Sequence, residues 1–463
     1  MKRAILLNLF LFVFVLKPVF ALENNKFGIH IIQPEDLPRA AELVNSNSGD
    51  WGYVTIVIAD NDRNKDKWQS FFDDCRQKHL IPLVRIATHL ENDIWSKPEE
   101  NQISEWAKFL DSLNWPVKTQ YISIYNEPNH NKEWGGKSDP VEYAKILDKA
   151  LTIFKQKNSN FYILNAGFDQ AAGNSPTTID EEWYIAQMEK EVPGIFSRLD
   201  GWVSHSYPNH GFIGKPWETG RASVAGYQWE LSILKSQFGV TKNLPIFITE
   251  TGWPHRLDNR VKGIGYSYYD EKLTAEYIKQ AFENVWLADD QVIAVTPFIL
   301  NYPAYPFENF SWLDSSGQPL SQYQEIKSIK KNIGQPEQKQ SFALIKSPFP
   351  PIVTTNLVFN GKVILKNTGQ SIWGEKPFIL KAFAPGLKLS DLILPSGQLV
   401  KPGQRAELDF TLETVNVGGD YVAGWQGLTP YEIKVFGIWG LTASPNTPLN
   451  NILENIFGFW FNL

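Results

Sequence analysis

The chain has 463 residues, which is enough for one large domain and a smaller second one. Hydrophobic residues make up 43% of it and charged residues 20%, so most of the chain can bury a core. A formal net charge of -6 leaves no basic surface for nucleic acid, so no nucleic-acid partner is expected. Aromatic residues make up 14%, and their flat faces with polar edges suit sugar rings as well as cores.

The first residues have the pattern of a secretory signal peptide. A short positive segment precedes an apolar run from Ala4 to Leu16, which is too short to span a bilayer comfortably. Val19 and Ala21 stand at the cleavage positions, so we expect removal of residues 1–21 and a secreted or cell-surface protein. An uncleaved membrane anchor is the alternative.

The sequence offers few residues for disulfides or metal sites. Cys75 is the only cysteine, so the chain can form no intramolecular disulfide and no cysteine-rich metal site. It stands in a helical pattern, where a buried inert thiol is expected. The seven histidines are scattered without ligand spacing, so we predict neither a metal nor a cofactor.

Short apolar runs alternate with stretches of helical periodicity along the first two-thirds of the chain. Most of these runs are continuous, as expected of parallel strands covered on both faces. Eight such units predict an α/β fold, a (β/α)8 TIM barrel over residues 22–335. A doubly wound open sheet is the alternative, but the glycine-rich turn that such a sheet uses for dinucleotides is absent after the first strand. The predicted strands begin at Phe27, Tyr53, Ile81, Tyr121, Phe161, Gly201, Pro245 and Val292.

The pattern changes after Ile333. Residues 336–350 are polar and end in prolines, and we predict that they form a linker. Short alternating strands separated by turn residues follow, and they predict a small immunoglobulin-like β-sandwich over residues 351–437. The tail, residues 438–463, is too short to span a membrane. We expect an amphipathic docking segment there, which could make a weak contact with a cell surface or membrane.

Two of the predicted strands end in a glutamate. The fourth strand runs into Glu127 in "YISIYNEPNH", and the seventh runs into Glu250 in "PIFITETGWP". The active site of a (β/α)8 barrel lies at the C-terminal ends of its strands, so we expect the two carboxylates to converge there. Paired carboxylates are what cleavage of a glycosidic bond requires.

These motifs resemble those of the clan A glycoside hydrolases, which are retaining (β/α)8 enzymes. In that clan an Asn-Glu pair ends strand four, a glutamate ends strand seven, and His-x-Tyr often follows strand six. The matching residues here are Asn126, Glu127, Glu250, His205 and Tyr207. The resemblance covers the barrel and implies that Glu127 is the acid/base and Glu250 the nucleophile. The family stays open, because "TETGWP" is similar to plant-type β-1,3-glucanases and "NEPN" to the cellulase, mannanase and xylosidase branches.

The environments of the two glutamates should separate their roles. Glu250 should be ionised, with Tyr207 as the candidate hydrogen-bond donor, and Glu127 should be protonated near neutral pH. Asn126 can donate to the sugar 2-hydroxyl, and a strand-end cap is the alternative for it. Arg85, on the third predicted strand, either orients Glu250 or forms a structural pair within the barrel.

Histidines and aromatic residues are further candidates for substrate binding. His30 and His205 could bind sugar hydroxyls, or they could be interior residues of their strands. Trp134 is expected to be exposed and to stack on a neighbouring sugar. Trp253 is expected to pack the strand-seven turn, and a position at the border of the cleft is the alternative. Many clan members close the sugar subsite with a tryptophan at the tip of strand eight, which is absent here. The candidates to replace it are Tyr302 and Trp312.

The leading interpretation is a secreted retaining glycosidase that acts as a monomer on a β-linked polysaccharide or oligosaccharide. A non-catalytic carbohydrate-binding protein on the same fold is the second, and a cell-surface interaction protein is the third. The presence of both glutamates favours the enzyme. The sugar, the linkage and the choice between internal and terminal cleavage depend on loop shapes that no motif encodes.

Overall fold

The computed structural model divides into two compact units, with the boundary between Glu337 and Gln338. The signal peptide and the C-terminal tail predicted from the sequence both lie outside the described residues. Within the described ranges, no helix is both long enough and apolar enough to cross a membrane. The described residues are 24–257, 267–346, 348–350 and 352–437.

Eight parallel strands form a closed ring in the first unit. The first five strands make one parallel sheet and the last three make another. A parallel bridge between Leu164 and Gly201 joins the two sheets, and one between Phe27 and Val295 closes the ring. This is the barrel that the sequence predicts. The strands are β1 (Gly28–His30), β2 (Gly52–Ala59), β3 (Leu80–Ala87), β4 (Gln120–Ile124), β5 (Phe161–Leu164), β6 (Trp202–Ser204), β7 (Ile246–Ile248) and β8 (Val292–Val295).

The strands bury side chains on both faces. Tyr53, Leu83, Val203 and Phe247 belong to one apolar cluster, to which the strands of the ring contribute in turn. Side chains alternate along a strand, so Arg85 points to the same face of β3 as Leu83, two residues earlier. The apolar cluster therefore fills one part of the barrel, and polar side chains occupy the C-terminal strand ends.

At least one helix follows each strand. Four of the helices have an N-cap side chain that accepts a hydrogen bond from a backbone N–H in the first turn, and these caps are Asn64, Asp139, Asp180 and Asp270. The apolar faces of the helices join the large core cluster together with the outer side chains of the strands. The helices are Leu37–Val44, Lys65–Gln77, Gln102–Asp111, Pro140–Lys157, Glu181–Glu191, Ile195–Arg198, Gly226–Phe238, Glu271–Ala281 with a π-helical turn at Phe282–Trp286, and Ser321–Ser328.

The second unit contains two four-stranded sheets with one shared apolar core, which includes Val363, Phe410 and Trp425. Its first strand lies inside the stretch predicted to be a linker, residues 336–350. The linker is therefore shorter than predicted, because Phe342 and Leu344 pack against this core. One sheet contains Phe342–Lys346, Val358–Asn367, Arg405–Glu413 and Lys388–Leu389, and the other contains Ile352–Thr354, Tyr431–Phe436, Gly419–Trp425 and Ala382–Phe383.

Two carboxyl groups are fully buried against each other beside β6. Glu181 begins one helix and Glu230 lies in another, and neither is exposed to solvent. Burial, followed by the charge of Glu230, raises the pKa of Glu181 well above its ordinary value. Burial also raises the pKa of Glu230. Because the pKa values of both carboxyl groups are raised, we expect the pair to hold a proton near neutral pH.

This pair is expected to make the fold less stable in alkaline solution. The pKa of Glu181 is raised on folding, so its contribution is complete below the unfolded value of about 4.3 and is lost as the pH rises towards the folded value. The free energy of unfolding should fall by about 1.4 kcal/mol per pH unit for this proton. Glu181→Gln should reduce the slope, because an amide has no proton to lose over this pH range.

Urea unfolding between pH 5 and pH 9 measures this slope. The control is Glu182→Gln, because Glu182 is the next residue on the same helix and is only partly buried. Equal slopes for the wild-type protein and for Glu181→Gln would show that the carboxyl pair does not hold a proton.

Candidate active site

The two predicted glutamates lie just beyond the C-terminal ends of their strands. Glu127 follows β4, and Glu250 follows β7. The backbone of Glu127 has a φ of 29°, which is uncommon for a residue other than glycine. Its N–H donates to the carbonyl oxygen of Gly167 at 2.9 Å, and this bond to the chain beyond β5 helps to hold the conformation. The fold thereby turns the Glu127 side chain into the mouth of the barrel.

The carboxylates of the two glutamates converge. One oxygen of Glu127 and one of Glu250 lie within 4.8 Å of each other. His205 lies beside both, with its Nδ1 atom 2.8 Å from Glu127 Oε1 and 4.0 Å from Glu250 Oε2. A Cβ atom at Gly167 would lie 2.2 Å from the His205 ring, so only glycine leaves room for the ring here. The strand ends thus build one continuous polar site.

Glu250 is buried among hydrogen-bond donors. Arg85 Nη1 donates to Oε1 at 2.6 Å, and the Tyr207 hydroxyl donates to Oε2 at 3.2 Å. Burial alone would raise the pKa of Glu250, but the charges of His205 and Arg85 and the hydrogen bond from Arg85 outweigh it and lower the pKa to about 2. Glu250 is therefore ionised across the physiological range, as its assigned role requires, and Tyr207 is the donor that the sequence predicts.

Arg85 holds Asn126 as well as Glu250. Its Nη1 atom donates to Asn126 Oδ1 at 2.5 Å in addition to Glu250 Oε1. Of the two interpretations left open by the sequence, the structure supports the one in which Arg85 orients Glu250. Because Asn126 Oδ1 accepts from Arg85, its Nδ2 group is the part that can donate to a sugar hydroxyl.

The pKa values of the two site histidines are shifted in opposite directions. His205 is buried, which by itself lowers its pKa, but the charges of Glu250 and Glu127 and the hydrogen bond to Glu127 raise the pKa overall. Burial dominates at His30 and lowers its pKa to about 3, so this ring is neutral. His30 Nδ1 lies 3.9 Å from Glu250 Oε1, and neither ring nitrogen makes a hydrogen bond. Both nitrogens are buried, so neither is exposed to a ligand in this structure.

Three ionisable residues beside Glu127 are absent from the sequence-based site. Burial and then the charge of Glu127 raise the pKa of Glu133 to about 7. His130 Nε2 lies 2.8 Å from Asp169 Oδ2, and its pKa is raised to about 9, because that hydrogen bond and the nearby carboxylates outweigh burial. The signal was present in "NEPNHNKE", where His130 and Glu133 follow Glu127 in one loop, but the partner Asp169 comes from the chain after β5.

Burial corrects two of the predicted aromatic contacts, Trp134 and Trp312, whereas Trp253 packs a turn as expected. Trp134 was expected to be exposed, but it is fully buried, packs against Tyr125 and Tyr143, and is not a sugar platform. Trp253 packs on Tyr277 and donates to a backbone oxygen, so it supports the strand-seven turn. Trp312 belongs to the large core cluster. Apolar neighbours from other elements cover all three rings, which local sequence does not reveal.

The aromatic residue at the tip of β8 is Phe298. Its ring lies edge-on to His30 with a centroid separation of 5.3 Å. Phe298 and Tyr302 both pack against the cluster that contains Tyr207 and Phe310. Tyr302, which the sequence offered as a candidate, therefore belongs to the same aromatic cluster, but Phe298 is the member that contacts a site histidine.

The same residues define the candidate metal position. Glu127, His205 and Glu250 each offer one ligand atom, and these atoms lie within 4.8 Å of one another. Three protein ligands could in principle hold a metal ion with an open position. The guanidinium of Arg85, 2.6 Å from Glu250 Oε1, opposes a cation at this place. The arrangement fits proton transfer better, and the absence of a metal stays a prediction.

Removing the charge of Arg85 should shift the pH dependence of any reaction that needs ionised Glu250. With Arg85→Met the pKa of Glu250 rises, because burial is then less opposed. The acid limb of the kcat/KM profile should move to higher pH, and misplacement of Glu250 and Asn126 should lower kcat/KM by about a hundredfold. Arg39→Met is the control, since Arg39 forms an exposed pair with Glu42. An unchanged acid limb would contradict the assigned electrostatics.

No protein-family model matches the chain, and no curated protein sequence matches it. Several solved structures match the chain. A monomeric β-xylosidase from Caulobacter crescentus CB15 matches with 13% identity and a TM-score of 0.47, over 85% of this chain and 97% of that one. A fungal β-1,4-galactanase matches with 13% identity and a TM-score of 0.46, over 67% and 100% of the two chains. An α-L-arabinofuranosidase from Thermotoga maritima matches with 11% identity and a TM-score of 0.43, over 86% and 97%.

These similar structures are all glycosidases, the class of enzyme that the sequence motifs resemble. They differ from one another in the sugars that their names give. The function proposed below therefore rests on the geometry of the site.

Proposed function

We propose that this protein is a retaining glycoside hydrolase. The observation that carries the proposal is the approach of Glu127 and Glu250, whose nearest carboxylate oxygens lie within 4.8 Å. Retaining enzymes separate their carboxyl groups by about 5–5.5 Å, whereas inverting enzymes need about 6.5–9.5 Å to admit a water molecule. The short separation favours direct attack by one carboxylate over attack by an activated water.

In the first step, Glu250 attacks the anomeric carbon and forms a glycosyl–enzyme bond while the glycosidic bond breaks. Glu127 gives a proton to the departing oxygen. His205 lies against Oε1 of Glu127, so Oε2 is the oxygen that can carry this proton. Asn126 can donate through Nδ2 to the sugar 2-hydroxyl, a bond that strengthens as positive charge develops on the ring.

In the second step, Glu127 takes a proton from water, and the water attacks the anomeric carbon. The bond to Glu250 breaks, and Glu250 returns to the ionised state that Arg85 and Tyr207 stabilise. Two displacements at one carbon restore the original configuration. Each ionisable group thus ends the cycle in its starting state.

The proposal extends to the substrate and the setting of the enzyme. We infer a β-linked polysaccharide or oligosaccharide as substrate, in line with the clan that the motifs resemble. The signal-like N-terminus supports secretion or a cell-surface location. We also propose that the two sheets of the second unit form a β-sandwich accessory module, because their apolar side chains share one core.

A panel of aryl β-glycosides tests the function. The panel should include xylosides, glucosides, galactosides and mannosides, and the first product anomer should be read by proton NMR. A β-anomer that appears first and then mutarotates is expected. Initial release of the α-anomer would overturn the retaining mechanism. Binding without turnover, for every member and for the matching polysaccharides, would favour the non-catalytic carbohydrate-binding alternative.

A further inference from the structure

A groove of about 530 Å³ lies on the first unit, beside the helix Gly226–Phe238. Its other walls are the loop that contains Trp217 and the chain from Gln280 to Asp290. Its volume falls in the range of pockets that bind small ligands. None of the residues that line it is among the contacts of Glu127 and Glu250 given above. It is therefore separate from the catalytic pair.

The groove presents an aromatic ring to solvent. Trp217 is 64% exposed, and its ring contact is an edge-to-face arrangement with Tyr277 at 5.9 Å. An indole has a large apolar surface and one polar N–H, which suits the C–H face and the hydroxyl rim of a sugar ring. A tryptophan exposed to this degree beside a cavity is a candidate ligand platform rather than a core residue.

The polar lining of the groove fits hydroxyl groups. Gln228, Gln280 and Asn284 contribute amides, each of which both donates and accepts hydrogen bonds. Glu218 and Asp290 contribute carboxylates, which accept from hydroxyls. Among the described residues that line the groove there is no lysine, arginine or histidine. This negative balance disfavours uronic acids and other anionic sugars, so the fitting ligand is a neutral glycan.

We propose that this groove is a second carbohydrate-binding site, which holds a neutral part of the polysaccharide away from the catalytic pair. The assignment rests on the proposed function, because it takes the ligand from the substrate class of the enzyme. A chain held at both sites dissociates more slowly than one held at the catalytic site alone, since the second contact becomes intramolecular. The groove would thus favour long substrates over short ones.

Binding to insoluble neutral polysaccharides tests the groove. The probes are arabinoxylan-free xylan, β-glucan, galactan and mannan, and the protein carries Glu250→Gln so that none of them is hydrolysed. Trp217→Ala should weaken binding to the preferred polysaccharide by about tenfold, which is the loss expected for one stacked ring. Asn284→Ala should weaken it by a smaller factor. The matched control is Trp183→Ala, because Trp183 is also exposed, at 49%, but lies on another helix outside the groove.

Kinetics separate this inference from the proposed function. In the otherwise wild-type enzyme, Trp217→Ala should leave kcat/KM for the preferred aryl glycoside unchanged, because that small substrate does not reach the groove. It should raise KM for the polysaccharide. If Trp217→Ala does not weaken polysaccharide binding relative to the Glu250→Gln protein alone, the groove is not a carbohydrate-binding site, even if aryl glycosides are cleaved. Equal weakening by Trp183→Ala also overturns it, since binding would then follow exposed tryptophan in general. If no aryl glycoside is cleaved but polysaccharide binding still depends on Trp217, the proposed glycosidase function is wrong and the binding site stands.

Discussion

Replacing Glu250 by alanine should lower kcat on every substrate by on the order of 10⁵-fold, since the nucleophile of the first step is lost. No glycosyl–enzyme can then form, and no carboxylate remains opposite Glu127 to activate a water for direct attack. Added azide is small enough to occupy the space of the missing carboxylate. It should attack the anomeric carbon directly and give the inverted, α-configured glycosyl azide, detectable by NMR.

The control for this variant is Glu91→Ala. Glu91 is an exposed glutamate in the short ribbon after β3, and its loss should leave kcat within about twofold of wild type. Near-wild-type turnover by Glu250→Ala would show that the nucleophile has been misassigned. A β-configured azide from that variant would do the same.

Replacing Glu127 by alanine should have an effect that depends on the leaving group. Aryl glycosides with acidic phenols need little protonation, so Glu250 should still be glycosylated at a rate close to that of wild type. Substrates with sugar leaving groups should lose about 10²- to 10⁴-fold in kcat, the usual range for general acid catalysis. The glycosyl–enzyme should then accumulate, because the same residue activates water in the second step. Pre-steady-state release of the phenol measures this accumulation, and we expect a burst followed by slow turnover.

Azide also distinguishes the two glutamates. It needs no general base, so it should release the sugar from the Glu127→Ala enzyme as a β-configured glycosyl azide with retained configuration. Mass spectrometry of the intact protein should show the trapped sugar before azide is added. An α-azide from this variant, or equal losses of kcat for good and poor leaving groups, would show that Glu127 is not the acid/base.

The chemistry-bearing residues of the site could be read from short segments, because each segment is a strand end. An apolar run that stops at a carboxylate predicts both the strand and the face on which the side chain emerges, since strand ends share one edge of the barrel. This is why Glu127, Glu250, Asn126 and Tyr207, predicted from separate segments, lie together in the structure. Arg85 could be placed on β3, but its partner came from a strand distant in sequence, so the choice between its two roles needed the structure.

The burial of Trp134 and Trp312 could not be predicted from the neighbouring sequence. Trp134 stands in a polar loop segment, which predicts exposure, yet rings of Tyr125 and Tyr143 enclose it. Whether a ring is covered depends on which elements pack over it, and those elements are set by the closure of the barrel. The same reasoning applies to Glu181 and Glu230, whose shared burial between two helices is invisible in either helix alone.

The sequence by itself determined the alternation of eight strands and helices, the two glutamates at the ends of β4 and β7, and the change to short alternating strands after Ile333. These features follow from the periodicity of apolar residues and from the residues that end strands and helices. Both are local properties of the sequence and do not depend on long-range contacts. Only the tertiary structure decided the separation of the carboxylates, the position of His205 between them, and the shifts that leave Glu250 ionised and Glu133 with a pKa of about 7. Distance, burial and electrostatic field arise between strands far apart in the chain, so they exist only once the ring has closed.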